Sequence, residues 1–200
     1  MTAVPSLPTE LGVLTTNQDL DPDRLRQAFG VFPSGVVAVA AEVDGALVGL
    51  AASSFSSVSL DPPLVSFSIA NTSKTWPDLR RATRVGVTIL AEHHGEVCRQ
   101  LAGPVDHRFD GVPVRVTDDG AVLLEEGLAR FDCSLYREVE AGDHTIILLR
   151  LHEVEHDAEA QLPGSPLVFH RSAFGRLSRS RTAPPEDITT EATPLKRETR

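Results

Sequence analysis

Residues 49–76 read GLAASSFSSVSLDPPLVSFSIANTSKTW, and both the fold and the chemistry turn on this stretch. Leu64 to Ile69 alternates, with Val65, Phe67 and Ile69 on one face and Ser66 and Ser68 on the other. That pattern predicts a strand with one core face and one polar face. Upstream, Gly49, Ala51, Ala52, Ser53 and Ser54 combine little bulk with several hydroxyls, a composition that admits a flat, polar-edged ligand close to the backbone. Asp61-Pro62-Pro63 breaks the chain before the strand. Downstream, Asn71 to Thr75 is a polar loop ending where Trp76-Pro77-Asp78-Leu79 opens a helix, with Thr75 and Asp78 spaced as a capping box. Free N–H groups, the Ser73 and Thr75 hydroxyls and the Lys74 charge together suit a phosphate. A Gly- and Ser-rich loop between strands is the plainer account of the same residues, and spacing alone does not separate the two.

The composition narrows the partners. Two hundred residues with 41% hydrophobic content fit a single globular domain. A net charge of -9 and a pI near 5.2 speak against nucleic acid or an anionic membrane surface, which are bound through clustered Lys and Arg, but leave a local phosphate pocket open. Cys98 and Cys133 lack disulfide or metal spacing, so two free thiols, no metal site and a reducing, cytoplasmic setting are expected. The N-terminal residues lack a basic, then apolar, leader pattern, and no run reaches the roughly 18 apolar residues that a bilayer requires.

Working outward, Asp21-Pro22-Asp23 starts a short packing helix with Leu25, Ala28 and Phe29 on one face and Gly30 at its end. Val36 to Ala41 and Leu47 to Ala51 form a hairpin through Asp44-Gly45. Val85 to Leu90 is a strand, and Glu92 to Leu101 a helix whose His93 and His94 lie exposed at its start. Leu128 to Arg137 and Thr145 to Val154 are long strands joined at Glu140-Ala141-Gly142-Asp143. Many strands at short spacing with few helices predict a mainly β fold, a barrel. Residues 1–20 read as a flexible arm, 21–177 as the domain, and 178–200, rich in Ser, Thr, Pro, Glu and Arg, as a disordered tail.

S-F-S-S-V-S-L-D-P-P-L from Ser54 to Leu64, T-S-K-T-W-P from Thr72 to Pro77, Gly142-Asp143-His144 and Phe169-His170-Arg171 together resemble the flavin reductase-like, FMN-binding split-barrel family. Its members include the reductase components of two-component flavin monooxygenases. The resemblance runs from about Arg24 to Leu177. It implies a split barrel, usually a homodimer, with FMN or FAD and with NADH or NADPH as hydride donor. By the same resemblance Val48, Gly49, Leu50 and Ala51 line the flavin ring, Ser53 and Ser54 add hydroxyls and N–H groups, and Ser68, Ile69 and Ala70 pass along its other side. Ser73, Lys74 and Thr75 hold the phosphate, Phe109 reaches the flavin rim or the dimer partner, and His144 positions the nicotinamide. His170, Arg171 and Phe174 cover the two rings. Family members commonly carry Gly-Met-Thr-Ala where this chain has Gly49-Leu50-Ala51-Ala52, so one Thr hydroxyl is missing, and Phe174 stands where Tyr is common.

Hydrolytic and phosphoryl-transfer signatures are absent: no G-x-S-x-G elbow, H-E-x-x-H helix or Walker loop. Chemistry carried by a cofactor fits better, because hydride transfer between two stacked rings asks the protein for position and dryness rather than a strong acid or base. The expected function is an NAD(P)H:flavin oxidoreductase that supplies reduced flavin to a partner monooxygenase. The alternatives are a split-barrel flavoprotein that retains its flavin and acts on another small molecule, and a non-catalytic flavin- or haem-binding module.

Overall fold

The computed structural model describes residues 20–156 and 164–177. The expected N-terminal arm, save Leu20, and the C-terminal tail lie outside them.

The expected hairpin forms the first half of the barrel. Strands β2 (Val37–Val43) and β3 (Ala46–Ala52) meet at Asp44 and Gly45, whose φ angles of 53° and 79° supply the double left-handed turn that matches strand twist. β2 is covered on both faces: Val37, Val39, Ala41 and Val43 enter one core cluster, while Ala38 and the preceding Val36 enter a second. Period-two geometry thus sorts one apolar run into two cores.

β4 (Ser56–Leu60) and β5 (Pro63–Ala70) follow, then α2 (Trp76–Leu79) and β6 (Val85–Ile89). β9 (Ala129–Ala141) and β10 (His144–His156) are the long hairpin, each running past its expected limits. With β2 and β3 these strands form one antiparallel sheet in the order β3-β2-β6-β9-β10-β5-β4. The Ser54 hydroxyl accepts from Ser68 N–H at 2.9 Å and donates to Ser68 C=O at 3.1 Å, tying the end of β3 to β5 across the gap. The sheet curls toward closure and a side chain bridges the seam, so the mainly β split barrel expected from the sequence is what forms. A two-strand ribbon, β7 (Val114–Val116) with β8 (Val122–Leu124), and a small sheet of β1 (Ser34–Gly35), β11 (Leu167–His170) and β12 (Ala173–Arg176) complete it.

Four local expectations need correction. Helix α1 (Pro22–Phe29) is capped as expected, Asp21 Oδ1 accepting from the Asp23 and Arg24 N–H groups at 3.0 Å, but its apolar face is not packed into the core among the described residues: none of its residues is buried, Leu25 is half-buried and Phe29 is 70% exposed. The capping box at Thr75 and Asp78 does not form; Ser73 Oγ, two residues earlier, accepts from Thr75 N–H and Trp76 N–H instead. The helix expected over Glu92 to Leu101 begins as a tight 3₁₀ turn over Glu92–His94 before α3 (Gly95–Leu101). His94 is buried rather than exposed, its Nδ1 accepting the Ala91 N–H at 3.0 Å.

Candidate functional site

The Gly142-Asp143-His144 turn is the tip of the β9–β10 hairpin, and pairing of His144 with Ala70 and Thr145 with Ile69 places it beside the end of β5. Asn71 locks the two together. Its N–H donates to Asp143 C=O at 3.0 Å, its Nδ2 to Gly142 C=O at 3.1 Å, and its Oδ1 accepts from the Thr145 hydroxyl at 2.8 Å. Two residues further, Ser73, Lys74 and Thr75 form the polar loop. The structure therefore joins the turn and the loop, which stand some seventy positions apart in sequence, through a residue that sequence reasoning left unassigned. Its signal was an amide placed just before the Ser-Lys-Thr run.

Asp143 Oδ1 lies 2.8 Å from His144 Nδ1. That hydrogen bond, with the charge of the ring, holds the Asp143 carboxyl below its usual value. The carboxylate can only accept, so Nδ1 carries the donated proton and Nε2 is the ring nitrogen left without a partner among the described residues.

The loop fits an anion. Arg80 and Arg81 next door face Glu138, Asp44 and Asp78, whereas exposed Lys74 faces no carboxylate among the described residues. Thr75 is 5% exposed, and its hydroxyl accepts from Arg108 at 2.8 Å. Trp76 anchors the following helix in the core, edge-on to Phe67 at 5.8 Å, with its Nε1–H donated to Glu138 at 2.7 Å.

The small-residue shelf is not the open surface its composition suggested. Gly49 is buried opposite Ala40, and a methyl group on it would lie 2.6 Å from Phe109 Cζ. Phe109 therefore packs into the second core and accounts for the glycine. Val48 and Ala51 are half-buried and Leu50 is buried; Ser54 spends its hydroxyl on the barrel seam. Ser53 and Ser54 do line an open cleft of about 840 Å³, whose other wall includes Phe32, Phe169 and Phe29. Phe32 is 78% exposed, so this wall offers bare aromatic faces beside hydroxyls, a match for a planar heteroaromatic ring.

His170 and Arg171 lie at the β11–β12 tip, where Arg171 and Ser172 take φ values of 47° and 61° and Arg171 N–H donates to Gly30 C=O. Phe174 packs on Phe169 with ring centres 5.6 Å apart. Ser68, Ile69 and Ala70 are half-buried on β5, and Ile69, Ala70 and Ser73 line a separate cleft from that of Ser53 and Ser54. The expected residues thus fall into two groups: Ser53, Ser54 and the β11–β12 tip on one side, and His144 with the Ser73–Thr75 loop on the other.

A family model described as a flavin reductase like domain matches residues 29–178, most of the chain. The chain belongs to that family. A flavin reductase from Pseudomonas putida is 35% identical over 168 residues, covering 84% of this chain and 96% of that protein. A reductase subunit of a flavin-dependent monooxygenase, HsaB, from Rhodococcus jostii is 32% identical over 165 residues, covering 82% and 83%. Among solved structures, the NADH:FAD oxidoreductase SgcE6 from Streptomyces globisporus superposes with a TM-score of 0.75 at 27% identity, covering 84% of this chain and 99% of that one. Membership makes the chain an oxidoreductase of the flavin reductase class, and its match to the flavin reductase family model spans β11 and β12 as well as the barrel.

Two other groups carry no site. His93, His94 and Glu126 bring ligand atoms within 4.8 Å of one another, but the Ala91 N–H already occupies His94 Nδ1, so that ring serves the turn before α3. Cys133 is fully buried, and burial, with Asp132 beside it, pushes its thiol up to about 12; burial raises Cys98 as well. Neither thiol is a nucleophile at neutral pH. No helix among the described residues is long and apolar enough to cross a membrane.

Proposed function

We propose that the protein binds FMN or FAD and NADH or NADPH, transfers a hydride between them, and releases reduced flavin to a separate monooxygenase. Bound together, the two cofactors supply the redox chemistry: a hydride with its electron pair leaves nicotinamide C4 for flavin N5, and a proton from water completes the reduced flavin. The chain's residues position and shield. Ser73, Lys74 and Thr75 take the flavin phosphate; Ser53 and Ser54, through N–H groups and the free Ser53 hydroxyl, edge the ring; Val48, Gly49, Leu50, Ala51, Ser68, Ile69 and Ala70 back it. His144 Nε2 accepts from the nicotinamide carboxamide while Asp143 holds the ring's orientation. His170, Arg171 and Phe174 close over the rings, and Phe109 acts from behind by packing on Gly49.

The Asn71 clamp is the observation that carries this reading, because it fixes an acceptor for one nucleotide beside an anion loop for the other. We further propose a homodimer and a cytoplasmic setting. The support for the dimer is α1, an amphipathic helix with no buried residue among the described residues, with exposed Phe29, Val31 and Phe32 near the ring cleft; a second copy would bury them and bring its own half-site near.

The test is nicotinamide oxidation by the purified protein with FMN, FAD or no flavin added. Turnover that requires free flavin and saturates with it is expected. Flavin that stays with the protein through a filter after reduction would favour the flavin-retaining alternative, and binding without any oxidation would favour the storage module. His144→Ala should raise the KM for the nicotinamide; an unchanged KM removes His144 from the site.

A further inference from the structure

Three arginines are half-buried among the described residues: Arg84, Arg108 and Arg130. Arg84 faces Asp132 at 3.1 Å and Arg130 faces Glu155 at 2.9 Å. Arg108 faces no carboxylate among the described residues. Its contacts are to the Gly103 carbonyl from Nε at 2.9 Å, and to the Gly49 carbonyl and the Thr75 hydroxyl from one terminal nitrogen at 2.7 and 2.8 Å. Carbonyls and a hydroxyl take three of the five N–H groups but leave the charge uncancelled, and a partly desolvated cation without a counter-charge is costly. A fixed guanidinium in this state raises the affinity of the adjoining loop for an anion.

We propose that Arg108 is the positioning residue of the flavin phosphate site, resting on the reading of Ser73–Lys74–Thr75 given above. Its planar fork holds three elements at fixed separation: the end of α3, the Gly49 strand and the phosphate loop. By donating to the Thr75 oxygen it turns that hydroxyl so that its own proton is left for a phosphate oxygen. Phe109 is the adjacent residue, packed on Gly49, so the pair Arg108-Phe109 grips the same backbone position by charge and by contact. Lysine at 108 keeps the charge but cannot span Gly103, Gly49 and Thr75 from one rigid group.

Riboflavin lacks the phosphate that FMN carries, so comparing the two isolates the loop. The full-length protein should bind FMN more tightly than riboflavin by flavin fluorescence quenching. In Arg108→Lys the ratio of FMN to riboflavin affinity should fall roughly ten-fold, the scale of one charge-assisted contact, and the KM for FMN should rise more than kcat falls. Arg108→Gln, which removes the charge but keeps an N–H donor, should lower the same ratio and decides the matter if Arg108→Lys does not fold. Equal losses for both flavins, or a ratio kept in both variants, would overturn the role of Arg108. A parent protein that binds the two flavins equally would instead overturn the phosphate loop itself.

Discussion

Gly49→Ala separates two explanations of one glycine. If the position is open to admit a ligand, an added methyl leaves the ligand-free protein as stable as before and weakens only flavin binding. The structure requires the opposite. The methyl would meet Phe109 Cζ at 2.6 Å, Ala40 Cβ at 2.8 Å and the Val39 carbonyl oxygen at 2.9 Å, and two of these three neighbours belong to β2 and have no freedom to rotate away. Overpacking of this kind costs about 1–3 kcal/mol. At about 2 kcal/mol, and roughly 2–4 °C per kcal/mol for a domain of this size, the ligand-free melting temperature should fall by about 4–8 °C. Trimming Phe109 to Leu in the same protein removes the nearest contact, so Gly49→Ala should cost less in a Phe109→Leu background than alone. Thermal unfolding of the four proteins without flavin is the assay. An unchanged melting temperature in Gly49→Ala, or strictly additive losses in the double variant, would refute the packing account and restore the ligand-access one.

Other outcomes follow from single contacts. Trp76→Phe removes the 2.7 Å bond to Glu138 and part of the edge-on packing on Phe67, and should lower stability by about 2 kcal/mol in denaturant titration. Burial lowers the His94 pKa from 6.5, so the unfolded chain takes up a proton before the folded one does. Stability from this group is complete above about pH 6.5 and declines as pH falls toward the folded value, with a slope of at most about 1.4 kcal/mol per pH unit; His94→Gln should flatten that part of the profile. Both thiols should resist a disulfide exchange reagent at pH 8 in the native protein and react once it is unfolded. Phe29→Ser should leave monomer stability near the parent value, since the ring is 70% exposed, while lowering the apparent mass in sedimentation.

Much of the barrel was legible because its signals are local. The Asp44-Gly45 turn announces the β2–β3 hairpin, and the alternation from Leu64 to Ile69 announces β5. β4 escaped notice because Val58 and Leu60 are its only apolar residues among serines; it is an edge strand held by β5 alone, with Leu60 97% exposed. The amphipathic pattern of α1 was read as packing, but periodicity reveals that a face is apolar without revealing what covers it. His94 looked like a surface residue by its neighbour His93, and only the fold over it made it buried. The site showed the same division. The Ser-Lys-Thr loop and the Gly-Asp-His turn carry recognisable chemistry, whereas Asn71 and Arg108 matter through partners 71 and 33 positions away, distances at which a sequence holds no geometric information.

Two of the hairpin tips of the main sheet differ in what they tolerate. Gly142-Asp143 is stitched sideways to Asn71, so any extra residue there would displace the loop beside it. Asp44-Gly45 has no such attachment among the described residues: a methyl at Gly45 would meet nothing within 4 Å there, and the Arg81–Asp44 pair is exposed on both sides and worth little. The chain can be lengthened at that tip, by a short tag or a labelling peptide, with the barrel left to fold as before.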